Sequence, residues 1–271
     1  MKNAIFQYMI TSPTVDERGM IGEWKRSELY QEVSRISRES FEYYAERIGA
    51  DYFYSDERVL TKGHGCNTSL LFECLRVIYD PMFDEYDNLL FADTDIVVNT
   101  EENIFDLMEG EVMGVLESDI VTHTGGGYNS WDYKDDTYDE FSHKFRANGC
   151  PVLPTLPPNR PSRMTILNTG FVVWSREARL RARKEFDNWE NWCYGKPTFH
   201  MSVMNDQPYI SAMLGKYGFD LQTLDQTWND SPHYKTEDEF FEKAKMCHYT
   251  GGDWKIDMVR HYNEMRYSPQ F

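Results

Sequence analysis

Residues 88–98 read Asn88-Leu89-Leu90-Phe91-Ala92-Asp93-Thr94-Asp95-Ile96-Val97-Val98. Leu89–Ala92 form an uninterrupted apolar run, the pattern of a strand buried on both faces. The run lands on Asp93-Thr94-Asp95 and resumes over Ile96–Val98. In open α/β sheets ligands bind at the carboxyl ends of strands, and residues two apart on an extended chain point to the same side. Asp93 and Asp95 are therefore expected to present two carboxylates together. Such a pair favours a hard divalent cation, Mn²⁺ or Mg²⁺, completed by water and substrate phosphate oxygens. The alternative is a strand end with solvated acids. Against it, this is the only D-x-D in the chain, and it follows the most apolar strand.

Working outward, Ala4–Ile10 reads as a first strand that stops at Thr11-Ser12-Pro13. From Trp24 to about Ile48 the apolar residues Leu29, Val33, Ile36, Phe41, Tyr44 and Ile48 recur at helical spacing, and Gly49 supplies a stop. Ala50–Tyr54 reads as a strand and Thr68–Tyr79 as a helix ended by Pro81. A helix over Asn103–Glu109 and a strand over Glu111–Glu117 follow. This alternation predicts an α/β fold, a mostly parallel central sheet flanked by helices on both faces.

The middle changes character. Gly125-Gly126-Gly127 and then Pro151, Pro154, Pro157, Pro158 and Pro161 mark residues 121–164 as an insertion over the sheet. Its His123, Tyr128, Trp131 and Tyr133 could form an aromatic lid or be ordinary packing. A strand over Thr165–Trp174, a basic helix over Arg176–Trp192 and a helix near Gln207–Tyr217 complete the pattern. Arg179, Arg181 and Arg183 are expected on a solvated face, and Trp189 and Trp192 in a core or interface. One domain spanning 1–271 is the economical division.

Lys plus Arg total 28 against 45 Asp plus Glu, a formal net charge of −17. That balance excludes general nucleic-acid or anionic-membrane binding, although placed cations can still hold a small phosphorylated ligand. No stretch approaches the ~20 apolar residues of a membrane helix. Gln7 interrupts the first apolar run, so a signal-peptide core is not expected either. Five cysteines without a C-x-x-C pair fit reduced thiols. A cytoplasmic location is the resulting expectation.

Three further stretches follow the D-x-D in order: Asn168-Thr169-Gly170-Phe171-Val172-Val173, Asn205-Asp206-Gln207, and Cys247-His248-Tyr249-Thr250-Gly251 with Lys255 beyond. Together with Leu89–Asp95 the set resembles the GT-A glycosyltransferases, in particular the retaining, glycogenin-like family 8 and its relatives. The resemblance implies a metal-dependent enzyme moving a sugar from a nucleoside diphosphate sugar (UDP- or GDP-sugar) to a glycan or other hydroxyl acceptor, with retention of configuration as the family's expectation. It implies metal ligation by Asp93, Asp95 and His248, and Asp206 and Gln207 at the reacting centre. Donor contacts would come from Asp93, Thr94, Asn168, Thr169, Gly170, Gly251, Gly252 and Lys255. The chain carries one residue more between His248 and Lys255 than the family does. Arg76, on the segment before the D-x-D strand, matches a basic position facing the donor, and Thr11, Ser12 and Asp56 follow strands where the base would lie. On this view 1–120 is the nucleotide-binding half and 165–271 the sugar- and acceptor-binding half.

A rival resemblance starts from the same residues. Asp93-Thr94-Asp95-Ile96-Val97-Val98, with Gly252-Asp253 and Asp257, is similar to haloacid-dehalogenase-like phosphatases, in which Asp93 would be the nucleophile. That motif closes the first strand of its domain, whereas here a β-α-β-α pattern precedes it. A nucleotidyltransferase would need a Gly-rich phosphate loop near the N-terminus, which the sequence lacks. A lectin-like module without chemistry would have no use for the acids and His248.

Overall fold

The structure, a computed structural model, describes residues 1–10, 28–64, 69–116, 167–193, 206–232, 236–250 and 254–264. The insertion at 121–164, its aromatic residues, Thr11, Ser12, Gly251 and Gly252 lie outside the described residues.

The strand that ends on the D-x-D, β3 (Asn88–Ala92), is buried along its whole length. It lies inside a sheet with β1 (Asn3–Tyr8), β2 (Asp51–Ser55), β5 (Val112–Leu116), β6 (Leu167–Ser175) and β7 (Leu221–Thr223), in the order β2-β1-β3-β6-β5-β7. β1 pairs in parallel with β2 and β3, and β5 in parallel with β7. β6 runs antiparallel to both β3 and β5, so the sheet is mostly parallel with one reversed strand. A two-stranded antiparallel sheet joins β4 (Ile96–Val98) to β8 (Met246–His248). The apolar run after Asp95 is thus a separate strand rather than a continuation of β3.

Apolar clusters cover both faces of the sheet. Phe6, Leu89, Phe91, Val172 and Trp174 pack on one side with the tyrosine, isoleucine and leucine of α5 (Asp206–Tyr217), namely Tyr209, Ile210 and Leu214. Ile5, Leu90, Ala92, Phe171 and Val173 pack on the other with Phe41, Tyr44 and Ala45 of α1 (Glu28–Ile48). The helical spacing read in α1 is the stripe it buries. A third cluster joins Val33 and Ile36 of α1 to Val97, Cys247, Tyr249 and Met258. It fastens the small sheet and α7 (Trp254–Asn263) to the main body.

Several expected helices differ in kind. The 69–79 segment is a 3-10 helix over Ser69–Leu75 that passes into a single α turn, α2 (Arg76–Tyr79), and Asn103–Glu109 reduces to a 3-10 turn at Ile104–Leu107. The basic helix is α3 (Arg176–Glu185) and breaks before α4 (Trp189–Cys193). Of the arginines expected on a solvated face, Arg179 is buried and Arg181 and Arg183 are half-buried. Arg179 is 1% exposed, and its guanidinium donates to the carbonyls of Phe83 at 2.8 Å and Tyr86 at 2.5 Å. Arg181 bonds Glu111, Glu185 and the Tyr217 carbonyl, and Arg183 bonds Asp84 and the Ile78 carbonyl. The rigid forks of Arg179 and Arg183 suit the carbonyls and the carboxylate where the chain turns before β3. Trp189 is buried and stacks on Phe72, as its spacing suggests.

Candidate metal and donor site

The site is assembled by the strand pairings. Asp93 begins the turn that closes β3, and its backbone N–H donates to the Gly170 carbonyl at 2.7 Å. The register of the small sheet sets Ile96 opposite His248, and Tyr249 N–H donates to the Asp95 carbonyl at 2.9 Å. Residues about 150 apart in the chain are thereby brought side by side. His248 Nε2 lies 3.2 Å from Asp95 Oδ1 and 4.0 Å from Asp93 Oδ2.

One ligand atom from each of Asp93, Asp95 and His248 falls within 4.8 Å of the others. Two carboxylate oxygens and an imidazole nitrogen are a donor set for Mn²⁺ or Mg²⁺, with the imidazole favouring the softer Mn²⁺. The residues fit a divalent cation on a further observation. A Cβ built on Gly170 would stand 2.5 Å from Asp93 Oδ2 and 2.9 Å from His248 Cε1. Only glycine leaves the ligand side chains their space.

The backbone beneath the carboxylates is held by a buried network. Gln7 on β1 is fully buried. Its Nε2 donates to the Asp93 carbonyl and to Ser37 Oγ, both at 2.9 Å, and its Oε1 accepts from the Tyr52 hydroxyl at 2.7 Å. Thr94 Oγ1 contacts Met9 Sδ at 3.9 Å. β1, β2 and α1 therefore all fix the turn that carries the acids.

The electrostatics follow from enclosure and neighbours. Burial and the Asp95 carboxylate raise the Asp93 carboxyl above its ordinary value. Burial would raise Asp95 too, but the Lys255 ammonium and His248 outweigh it and hold Asp95 well below the carboxylate range. Burial would lower His248, and the Asp95 and Asp93 carboxylates outweigh it and raise the imidazole. A concentrated negative site with one depressed and one elevated carboxyl is the field a cation relieves. Lys255 Nζ now sits 2.7 Å from Asp95 Oδ2 and 3.2 Å from the Tyr249 carbonyl. Tyr30 of α1 has its ring beneath the same ammonium, 5.6 Å away.

A second group adjoins the first through β6. Gly114 pairs with Val172 but Leu116 pairs with Leu167, so β6 bulges over Asn168–Phe171. Bulges re-aim side chains next to functional sites. Here Gly170 faces the ligand triad while Thr169 Oγ1 donates to Asp206 Oδ2 at 2.5 Å. Asn168 Oδ1 accepts from Gly170 N–H at 3.0 Å and braces the bulge. Cys74 Sγ also donates to Asp206 Oδ2, at 3.6 Å. Burial pushes the Asp206 carboxyl up, and the Thr169 hydroxyl partly opposes the shift. Gln207 follows in the first turn of α5 and is half-buried.

The remaining expected donor residues lie elsewhere. Arg76 is buried with Nη1 on Ser55 Oγ at 2.8 Å, Nη2 on Asp80 at 3.0 Å and the guanidinium over the Phe6 ring. It is committed to packing between β1 and β2 and is not in the Asp93–Asp95–His248 group. Asp56 is exposed just past β2. Sequence reasoning missed Gln7, Cys74 and Asn229, which hold the site from behind. Only Gln7 left a signal, a polar residue inside an apolar strand.

No family model matches the sequence, and no curated protein sequence matches it significantly. The fold does match solved structures. One is a glycosyltransferase involved in glycosylation of the major capsid of PBCV-1, with a TM-score of 0.50 and 13% identity over 97% of this chain and 100% of that one. Another is the galactosyltransferase LgtC in complex with donor and acceptor sugar analogs, with a TM-score of 0.50 and 10% identity over 97% of this chain and 95% of that one. The likeness spans nearly the whole chain. The fold is that of the GT-A glycosyltransferases, with a mostly parallel sheet and helices on both faces. The phosphatase alternative gains no support: β3 follows two strands and a helix, and Asp257 is engaged by Arg260 at 2.9 Å.

Proposed function

We propose that the protein is a metal-dependent glycosyltransferase that moves a sugar from a nucleoside diphosphate sugar, a UDP- or GDP-sugar, to a hydroxyl of a glycan or similar acceptor. The observation that carries this reading is the convergence of Asp93, Asp95 and His248 at the carboxyl end of β3 in this fold. A divalent cation bound there would neutralise the charge that develops on the leaving diphosphate. In the transfer, the bond between the anomeric carbon and the diphosphate oxygen breaks, and a bond to the acceptor oxygen forms. The proton of the acceptor hydroxyl passes to the departing diphosphate.

The chain's own residues divide that work. Asp93 and Asp95 hold the cation, and His248 completes the protein ligands. Lys255, already kept at the site by Asp95, supplies a point charge for the diphosphate. Thr94, Asn168, Thr169, Gly251 and Gly252 contribute donor contacts, with Gly170 leaving space for them. Asp206, oriented by Thr169, bonds sugar hydroxyls. Gln207 lies toward the anomeric carbon and steadies its positive charge with an amide dipole. Retention of configuration fits this carboxamide arrangement. Thr11, Ser12 and Asp56 are assigned to the nucleotide base as weaker members of the set.

A thermal-shift panel of nucleoside diphosphates and their sugars, with Mn²⁺ and with chelator, tests the donor class. A ligand that binds only the folded state raises the melting temperature by mass action. The expected result is a shift with one nucleotide that requires the metal and vanishes in Asp95→Ala. No shift with any nucleotide would remove the basis of the proposal.

A further inference from the structure

His248 can ligate a cation through Nε2 only if Nε2 is free of its proton. The group on the far side of the ring decides this. Asn229, in the 3-10 turn Gln226–Asn229, is 1% exposed, and its Oδ1 lies 2.7 Å from His248 Nδ1. An amide oxygen can only accept, so in this arrangement Nδ1 carries a proton and donates, and the proton a cation would displace is the one on Nε2, shared with Asp95 Oδ1 3.2 Å away.

The pairing is built in by the backbone. Asp230 N–H donates to the Met246 carbonyl at 2.9 Å, and His248 N–H donates to the Asp230 carbonyl at 2.7 Å. These bonds lock the residue after Asn229 to the strand that carries His248. Asp225 caps the turn through Thr227 N–H. Asn229 Nδ2 is buried and has no hydrogen-bond partner among the described residues. With the amide reversed, Nδ2 would donate to Nδ1 and drive the proton onto Nε2, which would block ligation.

From this geometry we infer that Asn229 is a positioning residue for the metal site, setting the tautomer of His248 through its side-chain oxygen. The inference rests on the metal-dependent reading above and assigns to it a residue outside the motifs. An aspartate at this position can only accept, and so preserves the metal-ready tautomer. A leucine of similar volume cannot set it.

The test is a titration of the full chain with Mn²⁺, following free Mn²⁺ by electron paramagnetic resonance. Wild type, Asn229→Leu, Asn229→Asp, His248→Ala and the Asn229→Leu/His248→Ala pair are compared, with folding checked by near-UV circular dichroism. Groups that hydrogen-bond the far nitrogen of metal-bound histidines are worth about 10–100-fold in affinity. The expected result is a loss of that size in Asn229→Leu, near wild-type affinity in Asn229→Asp, and no further loss when leucine is added to His248→Ala. Unchanged affinity in Asn229→Leu, with wild type binding Mn²⁺, overturns the inference alone. An equal loss in the His248→Ala background also overturns it, since the effect would not pass through the imidazole. Absence of Mn²⁺ binding by wild type overturns the inference together with the metal reading beneath it. Should Asn229→Leu fail to fold, a two-bond ¹H–¹⁵N spectrum of wild-type His248 at alkaline pH decides: a proton on Nδ1 supports the inference, and a proton on Nε2 overturns it.

Discussion

Two residues test the site most sharply on their own. In Gly170→Ala the added methyl would press on Asp93 Oδ2 and His248 Cε1, and relieving that contact means moving a ligand atom. Overpacking of this kind costs about 1–3 kcal/mol. Mn²⁺ affinity should fall about tenfold or more by the same displacement. Calorimetric titration with Mn²⁺ checks this, and an affinity equal to wild type would show that the cation binds elsewhere. Lys255 gives a prediction of opposite sign. Its ammonium and Asp95 form a largely buried pair, their side chains 10% and 16% exposed. Removing one partner of such a pair leaves a charge uncompensated, at a cost of about 3–5 kcal/mol. Lys255→Met should therefore lower the melting temperature of the metal-free protein, and saturating Mn²⁺ should recover most of the loss. A variant that Mn²⁺ does not rescue would separate Asp95 from the cation. The residue scale also shows what the sequence could reveal. Asp93, Asp95 and His248 stood out by motif and order, and the structure places them together. Asn229 and Cys74 touch the site only through His248 and Asp206, and such contacts depend on tertiary packing that no local pattern encodes.

Among the elements, β6 and α3 carry the consequences least visible beforehand. The apolar run Phe171–Trp174 marks a strand but reads the same in either direction, so the antiparallel pairing of β6 could not be read from it. That reversal matters, because it brings the bulge at Asn168–Phe171 to the carboxyl end of β3. The helix expected over Thr68–Tyr79 is largely a 3-10 segment for a related reason: apolar spacing cannot distinguish a packed 3-10 segment from an α-helix when both bury the same face. Charge patterning misled over α3. Arginines spaced along a helix suggest a wet face, yet Arg179 ties α3 to the turn that feeds β3 through the Phe83 and Tyr86 carbonyls. Arg179→Met should strand those buried carbonyls and destabilise the protein by about 3 kcal/mol. Urea denaturation measures this, and nucleotide affinity of the folded fraction should be unchanged. Loss of less than about 1 kcal/mol would return the arginine to the surface role its spacing suggests.

For the whole molecule, the alternation of strands and helices through residue 116 made the α/β class legible, because periodicity reports burial and burial here follows the sheet. The small sheet of β4 and β8 was not legible, since three-residue strands carry too little pattern. The architecture uses that small sheet to bring the C-terminal histidine against the D-x-D turn. An acidic molecule of net charge −17 can then hold an anionic donor because cation, Lys255 and His248 offset the carboxylates locally. At 100 times its dissociation constant, the correct donor should stabilise the fold by about 2.7 kcal/mol in Mn²⁺. Among the described residues no helix is long and apolar enough to cross a membrane.

The most direct test of sugar transfer is release of nucleoside diphosphate from a panel of UDP- and GDP-sugars, with a mixture of hydroxyl acceptors. Wild type would be compared with Asp95→Ala, in Mn²⁺ and in chelator. The expected result is turnover of one donor by wild type in Mn²⁺, abolished by chelator and by the substitution. Failure to turn over any donor, with metal-dependent hydrolysis of a simple phosphate ester instead, would contradict the account and assign the carboxylates to phosphate chemistry.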